Sequence, residues 1–241
     1  MREHMPRTST STAGRKHAWK QLESEMEACR ACPRLVRWRE EVSKVKRREH
    51  RDADYWGKPV LPFGPRDAPI LLLGLAPGAH GANRTGRPFT GDGAGPFLYG
   101  ALHRAGLSSG PVSSARDDEL ELRGVRISNA VRCVPPGNKP TPAETSRCSP
   151  FLDRELDLLT ELRVILCLGE IAWRAAHAAL ARRVPAPPPR RERFGHGAVQ
   201  KVGEIWMVGS YHPSQLNTRT GRLTQTMFDT VIGRASLLAR N

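Results

Sequence analysis

Ile70-Leu71-Leu72-Leu73-Gly74-Leu75, continuing as Ala76-Pro77-Gly78-Ala79-His80-Gly81, is the stretch on which the fold turns. A short apolar run that ends in a Pro/Gly loop suits a strand buried on both faces, as in a parallel sheet. Working outward, residues 125–131, 164–168 and 204–208 read as further strands. Residues 97–107, 171–181 and 223–238 carry apolar side chains at helical spacing. Thr141-Pro142-Ala143-Glu144 reads as a helix start, with Thr as cap, Pro in the first turn and Glu three residues on; that helix should run toward Leu162. The alternation predicts an α/β fold: three layers, α/β/α, around a central, mostly parallel four-stranded sheet. Ligands bind such sheets where the strands end. Residues 18–45 read as partly helical around a turn at 28–33. Residues 1–16 read as a disordered basic tail, leaving 17–241 as a single domain. Residues 108–123 and the Pro/Arg-rich 184–197 read as loops.

The charge balance narrows the partner. Lys and Arg number 38 against 24 Asp and Glu, a formal net charge of +14. Such an excess favours a polyanion, most commonly nucleic acid. The longest apolar run is far shorter than the roughly 20 residues a bilayer span requires. No continuous apolar signal-peptide core opens the sequence. A cytoplasmic protein with no membrane contact is expected.

The segment from Gly74 to Gly95 is rich in glycine, which permits tight turns and close backbone approach to a ligand. It has neither the Gly-Lys-Ser/Thr of a Walker loop nor the dinucleotide-binding glycine spacing at the strand end. Among its glycines stand His80, Asn83, Arg84, Phe89 and Asp92. An aromatic face together with polar groups for base edges is what an extrahelical base needs. Arg84, Arg87 and the 217–222 segment are candidate phosphate contacts. The basic stretch 44–51 reads as a solvated face with a secondary possibility of touching phosphate.

Five cysteines in an intracellular protein of this size point to metal or cluster binding rather than disulfides. Cys29 and Cys32 form a C-x-x-C, and Cys133 and Cys148 lie far along the chain. Four thiolates suit tetrahedral zinc or a cubane iron–sulfur cluster, and spacing alone does not choose. Cys167 lies inside an apolar run and reads as a buried non-ligand.

Four separate motifs, in order, carry a family resemblance. Residues 74–81 with 83–92, Cys29-Arg30-Ala31-Cys32-Pro33, Asn129-Ala130-Val131-Arg132-Cys133-Val134-Pro135-Pro136, and Tyr211-His212-Pro213-Ser214 with Asn217 closely resemble the motifs of type 5 uracil-DNA glycosylases. These are iron–sulfur members of the uracil-DNA glycosylase superfamily. The sister type 4 enzymes carry an acid where this chain has Leu75, and that departure argues for type 5. The resemblance implies a DNA-repair glycosylase that flips uracil, and other deaminated bases such as hypoxanthine, out of DNA. It then hydrolyses the N-glycosidic bond and leaves an abasic site. A [4Fe-4S] cluster on Cys29, Cys32, Cys133 and Cys148 is implied, as are a DNA partner and a monomer.

On that resemblance Asp92 takes the place of the missing acid, to orient water or stabilise the sugar cation. His212 donates to a uracil carbonyl, Asn129 pairs with the base edge and Phe89 stacks on the base. Leu75, Ala76, Pro77, Gly78 and His80 complete the substrate-binding set, with backbone N–H groups from 75 to 80 as further donors. The rival from another class is a DNA-binding module without catalysis, carrying a structural metal cluster. The combination of Phe89, Asp92, Asn129 and His212, which a mere binder does not require, separates the two.

Overall fold

The structure is a computed structural model and describes residues 12–240. Its sheet has five strands: β1 (Ile70–Gly74), β2 (Val125–Asn129), β3 (Val164–Leu168), β4 (Val199–Val202) and β5 (Ile205–Ser210), in the order β2-β1-β3-β5-β4. β2, β1, β3 and β5 are mutually parallel. β4 pairs antiparallel with β5 at the edge. The four-strand expectation is thus corrected by one hairpin. Val199-Gln200-Lys201-Val202 is short, polar and only half-buried, as an edge strand is. The two-residue turn Gly203-Glu204 closes it, with Gly203 at φ 59°, where a tight hairpin favours glycine.

Side-chain alternation along each strand divides the interior into two layers. Ile70, Leu72, Ile127 and Leu166 face α4 (Gly95–Arg104) and α8 (Gln225–Arg240), meeting Leu98, Tyr99, Phe228 and Ile232. Leu71, Leu73, Ile165 and Met207 face α1 (Thr12–Glu27), α5 (Pro142–Leu158) and α6 (Glu170–Ala181), meeting Trp19, Leu22, Leu156 and Trp173. Cys167 is fully buried in this second layer. α1 already includes residues 12–16, so that part of the expected tail is helical; the remainder of the tail lies outside the described residues. α2 (Pro33–Val45) follows the Cys29–Cys32 turn. The predicted helix start at Thr141 is a full capping box: the Thr141 hydroxyl accepts from Glu144 N–H, and the Glu144 carboxylate accepts from Thr141 N–H.

These layers position the site. The chain leaves β1 toward the α4 face and leaves β3 toward the α6 face. The crevice between two such departures is where open α/β sheets bind ligands. Among the described residues no helix is long and apolar enough to cross a membrane.

β2 also carries Arg126 and Ser128, both buried, toward α5. There Glu155, with no solvent exposure, accepts from Arg126 Nε at 3.0 Å, Arg132 Nη2 at 2.6 Å and Ser128 Oγ at 2.6 Å. Burial raises the Glu155 pKa, but Arg132 and Arg126 more than offset this and hold it below the ordinary 4.5. Its stabilisation is therefore full at neutral pH and is lost as pH falls through that lowered value. Glu155→Gln leaves Arg132 buried without an anion and Arg126 with only its 3.5 Å contact to Glu23, and should cost about 3–5 kcal/mol. Denaturant unfolding should show this gap widest near neutrality and closing in acid.

Candidate active site

A cleft of about 820 Å³ opens at the carboxyl ends of the strands. Loop 75–82 after β1 forms its floor, Phe89 to Ala94 one wall, Asn129 at the end of β2 its back, and His212 with residues 214–216 the opposite wall. The resemblance-based residues Leu75, Ala76, Pro77, Gly78, His80, Phe89, Asp92, Asn129 and His212 all line this one space.

Glycine is required here because polar side chains press against the backbone. A Cβ on Gly74 would stand 2.5 Å from Asn129 Oδ1 and 3.0 Å from the Phe89 ring. A Cβ on Gly81 would stand 2.3 Å from Asp92 Oδ2, and one on Gly78 2.9 Å. Phe89 itself sits at φ 52°, a conformation costing a bulky residue about 1–3 kcal/mol and typical of functional sites. Its ring lies 5.7 Å from the His212 ring, tilted by 31°.

The polar groups are poised rather than spent. No protein group among the described residues hydrogen-bonds the Asn129 side-chain amide or the His212 ring nitrogens. Asp92 Oδ1 accepts from Ala94 N–H at 3.0 Å, fixing the carboxylate, while Oδ2 turns toward Gly78 and Gly81. Burial pushes the Asp92 carboxyl up from its ordinary 3.8, against the backbone N–H groups of Ala94 and Gly95. Burial also drives the His212 pKa down to about 4, so its imidazole is neutral at physiological pH. Asn217 Nδ2 donates to the His212 carbonyl at 2.8 Å, and Ser214 caps the short α7 (Gln215–Arg219).

Two expectations about cations change. Arg87 is buried and bonded to Asp118, Ser113 and the Arg116 carbonyl, so it is a brace for loop 108–123 and does not face phosphate. Arg84 donates to the His80 and Gly91 carbonyls and ties the cleft loop to itself. Arg222 lies over the Tyr211 ring at 4.7 Å.

Two features at the cleft escaped the sequence. Tyr55 Oη and His80 Nδ1 share a hydrogen bond of 3.0 Å, with no local motif to announce it. Leu216 stands on the rim 74% exposed, an unusual position for a large apolar side chain. Its only sequence signal is that it is the single apolar residue in Gln215-Leu216-Asn217-Thr218-Arg219.

Behind the cleft, Cys29, Cys32, Cys133 and Cys148 line a second, small cavity, all as free thiols. The turn before α2 supplies the first pair, the loop after β2 supplies Cys133, and α5 supplies Cys148. Arg39 is buried beside them with no carboxylate partner; its Nη1 donates to Cys133 Sγ at 3.0 Å and its Nε has no partner.

A model of the uracil DNA glycosylase superfamily matches residues 61–235. The type-5 uracil-DNA glycosylase of Thermus thermophilus is 54% identical over 213 residues, covering 88% of this chain and 94% of that protein. That of Mycobacterium tuberculosis is 52% identical over 221 residues, covering 91% and 81%. A type-4 uracil-DNA glycosylase of Pyrobaculum aerophilum is 31% identical over 146 residues, covering 60% and 66%. The chain therefore belongs to the uracil DNA glycosylase superfamily and, within it, to the type-5 family.

The His212 environment gives a direct check. The folded pKa lies near 4 and the ordinary value is 6.5, so the unfolded chain takes up this proton first as pH falls. His212 should stay neutral in NMR titration down to about pH 5, and its contribution to stability should be lost between pH 6.5 and about 4.

Proposed function

We propose that this chain is a DNA-repair glycosylase that takes uracil, and other deaminated bases such as hypoxanthine, from DNA and leaves an abasic site. It would do so as a cytoplasmic monomer whose single domain starts with α1 at Thr12 rather than at residue 17. The observation that carries the reading is the unspent polar set in one cleft: a neutral imidazole, a free amide and a fixed carboxylate around an aromatic ring.

The roles follow from the charge the reaction develops. As the C1′–N bond breaks, its electron pair leaves with the base and the sugar becomes cationic. A water oxygen then bonds to C1′, and the proton that water gives up ends on the base. Neutral His212 donates to the carbonyl oxygen that turns anionic, where a preorganised donor counts most. Asn129 reads the base edge and Phe89 stacks on its face. The Asp92 carboxylate, held by Ala94 N–H, faces the sugar cation and orients water. Leu75, Ala76, Pro77, Gly78 and His80 form the surrounding floor, and the apolar Leu75 and Ala76 favour tolerance of more than one base. Leu216 on the rim is placed to enter the gap that a flipped nucleotide leaves in the stack.

The four cysteines fit a [4Fe-4S] cluster. Cys29, Cys32, Cys133 and Cys148 line one small cavity, and a cluster gives each thiolate its own iron. A buried guanidinium without a carboxylate calls for an anion, and Arg39 points its Nη1 at a cluster-ligand sulfur. The cluster would brace α1 and α2 against α5; the hydrolysis itself transfers no electrons.

Purified protein should release free uracil from a uracil-containing oligonucleotide; no release in either single- or double-stranded DNA would sink the assignment. His212→Ala should slow release by about 10²–10³-fold while keeping the fold. Leu216→Ala should slow release from paired DNA more than from single strands. Anaerobic preparations should contain about four irons per chain with matching sulfide; a colourless zinc protein would count against the cluster.

A further inference from the structure

The Pro/Arg-rich segment is the largest feature the catalytic reading leaves unused. Its backbone is pinned at four points. His177 bonds the Pro189 carbonyl at 3.0 Å, and Gln200 Nε2 donates to the Arg190 carbonyl at 2.8 Å. Gln200 Oε1 accepts from Glu192 N–H at 3.0 Å, and Trp173 Nε1 donates to the Glu192 carbonyl at 3.0 Å. A loop held this way presents fixed side chains, and those of Arg190, Arg191 and Arg193 are exposed.

None of these three guanidinium groups has an acidic partner among the described residues. Exposed arginines elsewhere divide: Arg30 pairs with Glu40, Arg66 with Glu23, Arg104 with Asp229 and Arg182 with Asp153, whereas others such as Arg37 and Arg219 have no acid; here three unpaired guanidinium groups stand within four residues of a pinned backbone. The acids at this place do not cancel the run. Glu170 is paired with Arg174, and Glu192 is one carboxylate against three cations. The segment also abuts the site. Phe194 packs edge-on against Tyr211 at 6.3 Å, and Tyr211 immediately precedes His212 and lies under Arg222.

We infer that Arg190, Arg191 and Arg193 form a rigid phosphate-contacting rail that extends the DNA footprint past the flipped nucleotide on the His212 side of the cleft. The inference rests on reading the chain as an enzyme of DNA. Such a rail supplies affinity and register without base choice. Pinning the backbone beforehand lowers the ordering cost that flexible cationic tails incur on binding.

The test is the salt dependence of binding to a fluorescent duplex that contains no uracil, so it does not depend on base release. Each phosphate contact contributes about 0.9 to the slope of log K against log salt. The triple variant R190Q/R191Q/R193Q should flatten the slope by about 2–3 and weaken binding several-fold at physiological salt. The comparison variant R123Q/R163Q removes two exposed, unpaired arginines just ahead of β2 and β3, at the amino-terminal ends of the strands and so at the end of the sheet away from the cleft. It should leave the slope as it is. An unchanged slope in the triple variant, or equal flattening per charge in both variants, overturns the rail. The second outcome would make the effect one of net charge alone. Melting curves of both variants confirm that the fold is intact.

Discussion

A carboxylate sealed from water holds this molecule together at the point where scaffold and chemistry meet. Glu155 on α5 gathers Arg126 and Ser128 from β2 and Arg132 from the loop beyond it. Buried charges of this kind are neutral in worth against apolar packing but severe to break, so they specify one arrangement. Residues 126–132 are the stretch they fix. That stretch contains Asn129 at the back of the cleft and ends beside Cys133, and the backbone N–H of Arg132 donates to Cys148 Sγ at 3.4 Å. One buried anion therefore sets the position of the Asn129 amide and of half the thiol centre.

The second constraint is steric. Asn129, Phe89 and Asp92 reach their places only because positions 74, 78 and 81 lack a Cβ. A glycine-rich loop is usually taken as flexible, yet this one is crowded. Backbone bonds from Asn83 N–H to the Gly78 carbonyl and from Val131 N–H to the Leu75 carbonyl hold it against the strand ends. The strain of Phe89 at positive φ is sustained by this packing, as expected where a ring must face a ligand.

These physical facts explain what could be read from the sequence. β1 and β3 are buried on both faces, so their apolar runs stand out; β2 is as buried but alternates apolar Val125 and Ile127 with Arg126 and Ser128, which serve Glu155. β4 is an edge strand whose Gln200 serves a neighbouring loop, and four polar-leaning residues carry no periodic signal. Asn129 and His212 were named on the resemblance, and the structure brings both to the carboxyl ends of strands, where α/β sheets bind ligands. Arg84 and Arg87 misled because a cation in a glycine loop looks free until the carbonyls and the carboxylate that take it are seen. Leu216 and Tyr55 were silent: exposure on a rim and a hydrogen bond across 25 residues are properties of the fold alone.

The thiol centre and the cleft are also joined through α2, by a route independent of Glu155. Arg39 reaches Cys133 Sγ and the Cys29 carbonyl with its guanidinium, and its own carbonyl accepts from the buried Asn83 amide at 3.3 Å. Asn83 in turn closes the loop on Gly78 and receives Gly57 N–H. Asn83 and Arg39 are both buried, so this joint lies inside the packed structure. A rearrangement at the four cysteines would therefore meet two rigid connections, one ending at Asn129 and the other at the loop that receives Asp92. On the proposed reading a cluster held by these cysteines would act through position, fixing the backbone on which Asn129 and Asp92 converge, with no electronic part in the reaction.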